Sequence, residues 1–91
     1  MAQIYTRRWL KGFSRLEAAD AGVYAAVLGL IYEENGPIRR DYDVIAGSLQ
    51  GLSAADAERS VRTLCEKRLL FVTPERQLMD WTAAEMINWL P

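Results

Sequence analysis

The residues of this sequence whose types and spacing suggest chemistry are mostly arginines. Arg59, Arg62, Thr63 and Lys67 recur at short steps within "DAERSVRTLCEK", so on a helix they share an outer face. A guanidinium presents a planar fork of donors that fits a phosphate or the O6/N7 edge of guanine, and a threonine hydroxyl adds a further contact. Such a face suits nucleic acid. Arg39 and Arg40 behind "GPI", and Arg76 in "TPER", extend the candidate set. The same helix face also holds Asp56, Glu58 and Glu66. A bland account fits these equally: Glu58–Arg62 and Arg62–Glu66 are four-residue pairs lacing a solvated helix, and acids suit its positive N-terminal end. Both accounts stand at this point.

Other chemistries lose their residues. The chain has no histidine, which removes Ser-His and Cys-His nucleophile pairs and every histidine-containing metal site. Cys65 is the only cysteine, so no intrachain disulfide forms, and its place beside an apolar face reads as a small core side chain. The acidic pairs Glu33/Glu34 and Asp41/Asp43 lie on polar boundaries, and no glycine-rich phosphate loop is present. The expectation is a non-enzymatic protein with no catalytic residues, metal, cofactor or small-molecule substrate.

The elements that must hold the arginines can be read from their ends. Ser14-Arg15-Leu16-Glu17 has capping-box spacing and predicts a helix start. Behind it Leu16, Ala19, Val23, Ala26, Val27 and Leu30 recur at helical steps, with Tyr24, Leu28 and Ile31 widening the stripe, which predicts a central helix touched on several sides. Gly29 inside it suggests a close crossing by a neighbour. Asn35-Gly36-Pro37 ends the helix, with glycine suited to the left-handed position, and Ile38 reads as a very short strand. Asp41 or Asp43 caps a helix carrying Val44, Ile45 and Leu49 inward as far as Gly51. Ser53-Ala54-Ala55-Asp56 opens a third helix to about Lys67, burying Ala54, Ala57, Val61, Leu64 and Cys65. "LLFVT", "PER" and "QLMDW" predict a hairpin with proline at the second position of a type I turn. Thr82-Ala83-Ala84-Glu85 predicts a short terminal helix with Met86, Trp89 and Leu90 on one side, an apolar set that reads as a partner contact.

Helix, lone strand, two helices joined by a glycine turn, hairpin and helix make the order of a winged helix-turn-helix, a mainly α fold with a small antiparallel sheet (α+β). The expectation is one domain over residues 1–91, with a short N-terminal arm at 1–13 and a C-terminal helix at 82–90. In the arm, Arg7, Arg8 and Lys11 interleave with Tyr5 and Trp9, and packing is expected for Trp9.

Leu10-x-Gly12-Phe13-x-x-Leu16, Asp20-x-Gly22-x-Tyr24, Leu30-Ile31-Tyr32, Gly36-Pro37-Ile38 and Ile45-Ala46-Gly47-x-Leu49 resemble, in order and spacing, the YdaU-like family. That resemblance covers about residues 4 to 88. It implies a phage- or prophage-associated domain of the kind found at the N-terminus of replication-initiation proteins. The chain departs from the family pattern at Arg39-Arg40, where proline and an acid are common, and in its apolar "MINWL" terminus, where the family carries basic residues.

With 91 residues, 51% hydrophobic and 25% charged, the chain has the balance of a folded domain. No apolar run is long enough to span a bilayer and the first residues lack signal-peptide organisation, so a cytoplasmic location away from membranes is expected. The net charge of −1 means that DNA binding must rest on uneven placement of charge. Two functions are carried forward: a module binding double-stranded DNA in a phage replication or regulatory protein, and a protein-interaction module that forms a homodimer or docks on other replication proteins.

Overall fold

The computed structural model describes residues 2–88, with side chains described for 7–88. Its elements are α1 (Ala2–Phe13), α2 (Ala18–Glu34), β1 (Ile38–Arg39), α3 (Tyr42–Gly47), α4 (Ala54–Glu66), β2 (Leu70–Val72), β3 (Gln77–Asp80) and α5 (Trp81–Met86). The chain is mainly helical with one small antiparallel sheet.

α2 is the central helix, as its apolar stripe predicts. Val23, Tyr24, Val27, Leu28 and Ile31 are buried, and α3, α4, α5, β1 and β3 all pack against it. Its start differs from expectation. Ser14 does not cap it: the Ser14 hydroxyl donates to the Lys11 carbonyl at 2.7 Å, closing the end of α1, and α2 begins at Ala18 behind Glu17 without a side-chain cap. At the other end Asn35, not Gly36, takes the left-handed conformation, with φ 57°. The Gly36 N–H reaches back to the Ile31 carbonyl at 3.1 Å, and Pro37 prevents continuation. Gly29 is exposed and a Cβ there would meet nothing within 4 Å, so no neighbour crosses at that point.

The expected N-terminal arm is instead a twelve-residue helix. Aromatic packing seats it: Trp9 meets Tyr32 edge-on at 5.6 Å between ring centres, and Phe13 meets Tyr24 at 4.9 Å. The glycine of close approach is Gly12, where a Cβ would lie 3.1 Å from Leu69 Cδ2.

α3 is capped by Asp41, whose carboxylate accepts the Val44 N–H at 3.3 Å. It ends at Gly47 rather than Gly51, and it buries Ile45 and Ala46 while Val44 faces solvent. Gly51, at φ 81°, instead makes the bend into α4, a left-handed position that disfavours side chains. α4 carries the full capping box, with Ser53 Oγ accepting from the Asp56 N–H at 3.1 Å and Asp56 Oδ2 accepting from the Ser53 N–H at 3.4 Å. Ala57, Val61 and Leu64 are buried as the spacing predicts, whereas Ala54 and Cys65 are only half-buried. Ser60 joins the buried face because its hydroxyl donates to Asp20 on α2 at 2.7 Å, which satisfies the polar group inside.

The sheet order is β1-β3-β2, antiparallel throughout, with Ile38 opposite Leu78 and Phe71 opposite Met79. The lone Ile38 strand therefore pairs with the hairpin. Across the turn the Arg76 N–H donates to the Thr73 carbonyl at 2.8 Å, Thr73 Oγ1 accepts the Gln77 N–H at 3.0 Å, and Arg76 sits at φ 65°.

α5 is capped by Asp80, not by Thr82. The Asp80 side chain is fully buried. Its Oδ2 accepts the Ala83 N–H at 2.7 Å and the Trp9 indole N–H at 3.3 Å, and its Oδ1 accepts the Tyr24 hydroxyl at 2.5 Å. One carboxylate thereby ties α1, α2 and α5 together. Arg8 and Glu85 add an ion pair between α1 and α5 at the surface. Described structure ends within the expected terminal helix, at Asn88, so Trp89 and Leu90 lie outside the described residues.

Candidate nucleic-acid interface

Three elements bring arginines to one groove. β1 is held in register by Ile38 opposite Leu78, which places Arg40 just beyond the strand. The hairpin turn presents Arg76, and the outer face of α4 presents Arg62. They line an open groove of about 640 Å³ between α4 and the hairpin, with Val61, Val72 and Leu78 in its wall and Glu58 at its edge. A shallower recess of about 610 Å³ shares Arg40, Tyr42 and Glu58 with it and is lined also by Arg39, Asp41 and Asp43. Counted by formal charge, the main groove carries Arg40, Arg62 and Arg76 against Glu58 alone, whereas acids outnumber bases along the recess.

The arginines differ in what already holds them. Arg62 pairs with Glu58 at 2.7 Å, and Arg59 pairs with Asp56 at 2.8 Å. The expected Arg62–Glu66 pair does not form among the described residues. Arg39, Arg40 and Arg76 make no ion pair among those residues. Arg59 stands outside the main groove, on the solvent side of α4. Thr63 donates its hydroxyl to the Arg59 carbonyl at 3.2 Å, so that donor is spent on its own helix. Lys67 ends α4, and its ammonium donates to the Arg15 carbonyl at 3.0 Å, which turns it toward the α1–α2 connection and away from the groove. Of the seven arginine, threonine and lysine candidates, Arg40, Arg62 and Arg76 are gathered in the main groove, Arg39 borders the recess, and Arg59, Thr63 and Lys67 are not gathered.

Local electrostatics follow from these contacts. The Asp56 carboxyl is held below its usual range first by the Ser53 hydroxyl, then by the Ser53 N–H, with the Arg59 guanidinium adding to both. Burial pushes the Cys65 thiol up, partly opposed by the nearby Arg40 charge, so this cysteine is a neutral side chain in the groove wall. No group of three or more metal-ligating side chains occurs among the described residues, and no helix described is long and apolar enough to cross a membrane.

Adjoining the groove, with Cys65 and Val72 common to both, lies a feature that helical spacing did not reveal. Trp81, 48% exposed, stacks on Phe71 with ring centres 4.2 Å apart, beside the exposed Val72. The expected partner contact at Met86 is in part engaged: its sulfur accepts the Tyr32 hydroxyl at 3.6 Å, although the residue is 42% exposed. The Asp80 network was equally hidden, because its donors stand 71 and 56 residues away in sequence. Its one local signal is an Asp followed three residues later by Ala83, the spacing of a helix cap. Compared with known proteins, the chain matches no family model, no curated protein and no solved structure.

Proposed function

We propose that this chain is a winged-helix module that binds double-stranded DNA, serving a phage or prophage replication or regulatory protein. The observation that carries the reading is the convergence of Arg40, Arg62 and Arg76, from three separate elements, on one groove between α4 and the hairpin. Element order supports it. α2, α3 and α4 follow in the order of a winged helix's three helices, the β1-β3-β2 sheet agrees with that reading, and the β2–β3 hairpin would serve as the wing. The sequence resemblance to the YdaU-like family points the same way. Uneven placement resolves the near-neutral net charge, since the groove concentrates positive charge that the rest of the surface offsets.

Fluorescence anisotropy with a labelled duplex tests the proposal. Wild type is expected to bind at low salt and to weaken steeply as salt rises, and Arg40→Ala combined with Arg76→Ala is expected to weaken it further. Absence of binding at about 50 mM salt overturns the proposal.

A second reading, a protein-interaction module, is favoured by the Trp81–Phe71 pair and the exposed Val72 beside it, an apolar patch that a partner would cover. Light scattering over a concentration series checks its homodimer form. A wild type that stays monomeric throughout argues against self-association.

A further inference from the structure

We infer that the duplex is held by its phosphate backbone in the groove between α4 and the hairpin, and that α4 does not read base edges. This rests on the DNA-binding proposal above and deepens it by naming what the protein recognises, which is duplex charge and shape rather than sequence.

The residues on the outer face of α4 that would read bases already spend their donors locally. Arg59 is paired with Asp56 and Arg62 with Glu58, while the Thr63 hydroxyl is bonded to the Arg59 carbonyl. Exposed ion pairs are weak, so a phosphate could displace them cheaply. The carboxylates would remain. A helix inserted in the major groove would carry Asp56, Glu58 and Glu66 between two phosphate strands, where each repels the duplex and none gains a partner except a cytosine or adenine amine. Asp56 resists protonation, because the Ser53 hydroxyl and N–H hold it ionised.

The groove arginines are placed for backbone contact. Arg40 and Arg76 make no ion pair among the described residues, and they flank an open channel in which Glu58 is the only acid. The exposed Val72 in its wall offers apolar contact to sugars. Phosphate and sugar contacts position a protein on DNA without carrying sequence information.

The test is anisotropy with three duplexes of equal length and unrelated sequence, each titrated over a range of salt. With two phosphate contacts the slope of log K against log salt is expected near about −1.8, and Arg40→Ala or Arg76→Ala should each reduce it by about 0.9. Affinities for the three duplexes should agree within about threefold, the range of purely electrostatic binding. Glu58→Gln should tighten binding to all three, by about threefold, because it removes a repelling charge and releases Arg62. Arg59→Ala should leave affinity within about twofold, with circular dichroism confirming that each variant is folded.

A duplex bound more than about tenfold tighter than the others, with the preference lost in Arg59→Ala, overturns backbone recognition and leaves DNA binding standing. No binding to any duplex at low salt overturns both. A Glu58→Gln variant that binds more weakly than wild type also overturns the inference, since it would make that carboxylate a base contact.

Discussion

Asp80 shows what a single buried charge demands of its neighbours. A carboxylate removed from water is tolerated only when donors replace its hydration, and here an indole, a phenol and a backbone N–H do so. Replacing Asp80 with alanine orphans all three donors and is expected to cost about 3 kcal/mol in urea denaturation. Tyr24→Phe removes one donor and should cost about 1 to 2 kcal/mol by the same measurement. The tyrosine also sets a pH dependence. Its hydroxyl is pushed well above the ordinary value of 10.0 by burial, then by the hydrogen bond to Asp80 and the Asp80 charge. A raised folded value means that its contribution is intact below pH about 10 and declines above it, because the unfolded chain then releases a proton that the folded chain keeps. Melting temperature should therefore fall above pH 10, and the fall should be shallower in Tyr24→Phe. Arg76 makes a separate point, since its left-handed φ of 65° suits glycine better. Arg76→Gly is expected to leave stability unchanged or raise it by up to about 1 kcal/mol while weakening DNA binding, which separates the residue's two roles.

At the scale of elements, what could be read in advance was whatever a short window encodes. Ser53 with Asp56, the stop at Asn35-Gly36-Pro37 and the proline turn at Thr73–Arg76 are local signals, and each occurs where its spacing places it. Capping boxes at Ser14 and Thr82 had the same spacing and failed. Each lost to a neighbouring residue: Ser14 turned back to Lys11, and the cap of α5 went to Asp80, two residues before the expected Thr82. Val44 and Gly29 illustrate the same limit, because a periodic pattern cannot say which side of a short or all-apolar helix a neighbour will cover. The surviving box on α4 gives an expected cost of about 1 kcal/mol for Ser53→Ala, measured by denaturation. Asp56 has its folded value lowered, so its contribution is present above the unfolded value near 3.8 and lost as pH falls through the folded one. Acid unfolding of wild type should accordingly lie at lower pH than that of Ser53→Ala.

For the molecule as a whole, the arginine site was partly legible and the architecture around α1 was not. Spacing alone named Arg40, Arg62 and Arg76, but also Arg59, Thr63 and Lys67, and only packing separates a residue lining the groove from one turned aside. Lys67, bonded to the Arg15 carbonyl, is the clearest case. α1 escaped notice because its first turns carry no capping signal and the partners that seat it lie in other elements, Tyr32 on α2 and Asp80 and Glu85 near α5. Its contribution should be visible as a global effect: Trp9→Phe keeps an aromatic ring but deletes the indole donor and part of the packed surface, and it is expected to lower stability by about 1 to 2 kcal/mol in a single cooperative transition.

The same connections set an order in time. α1 leaves the ribosome well before α5, yet the carboxylate that receives Trp9 and the acid that receives Arg8 are Asp80 and Glu85. Until α5 is free, only Tyr32 and Tyr24 of α2 are there to hold Trp9 and Phe13, and the polar half of the α1 seat is missing. Completion of the α1 contacts is thus a late step, and a chain truncated before Asp80 would leave the Trp9 indole N–H without its acceptor.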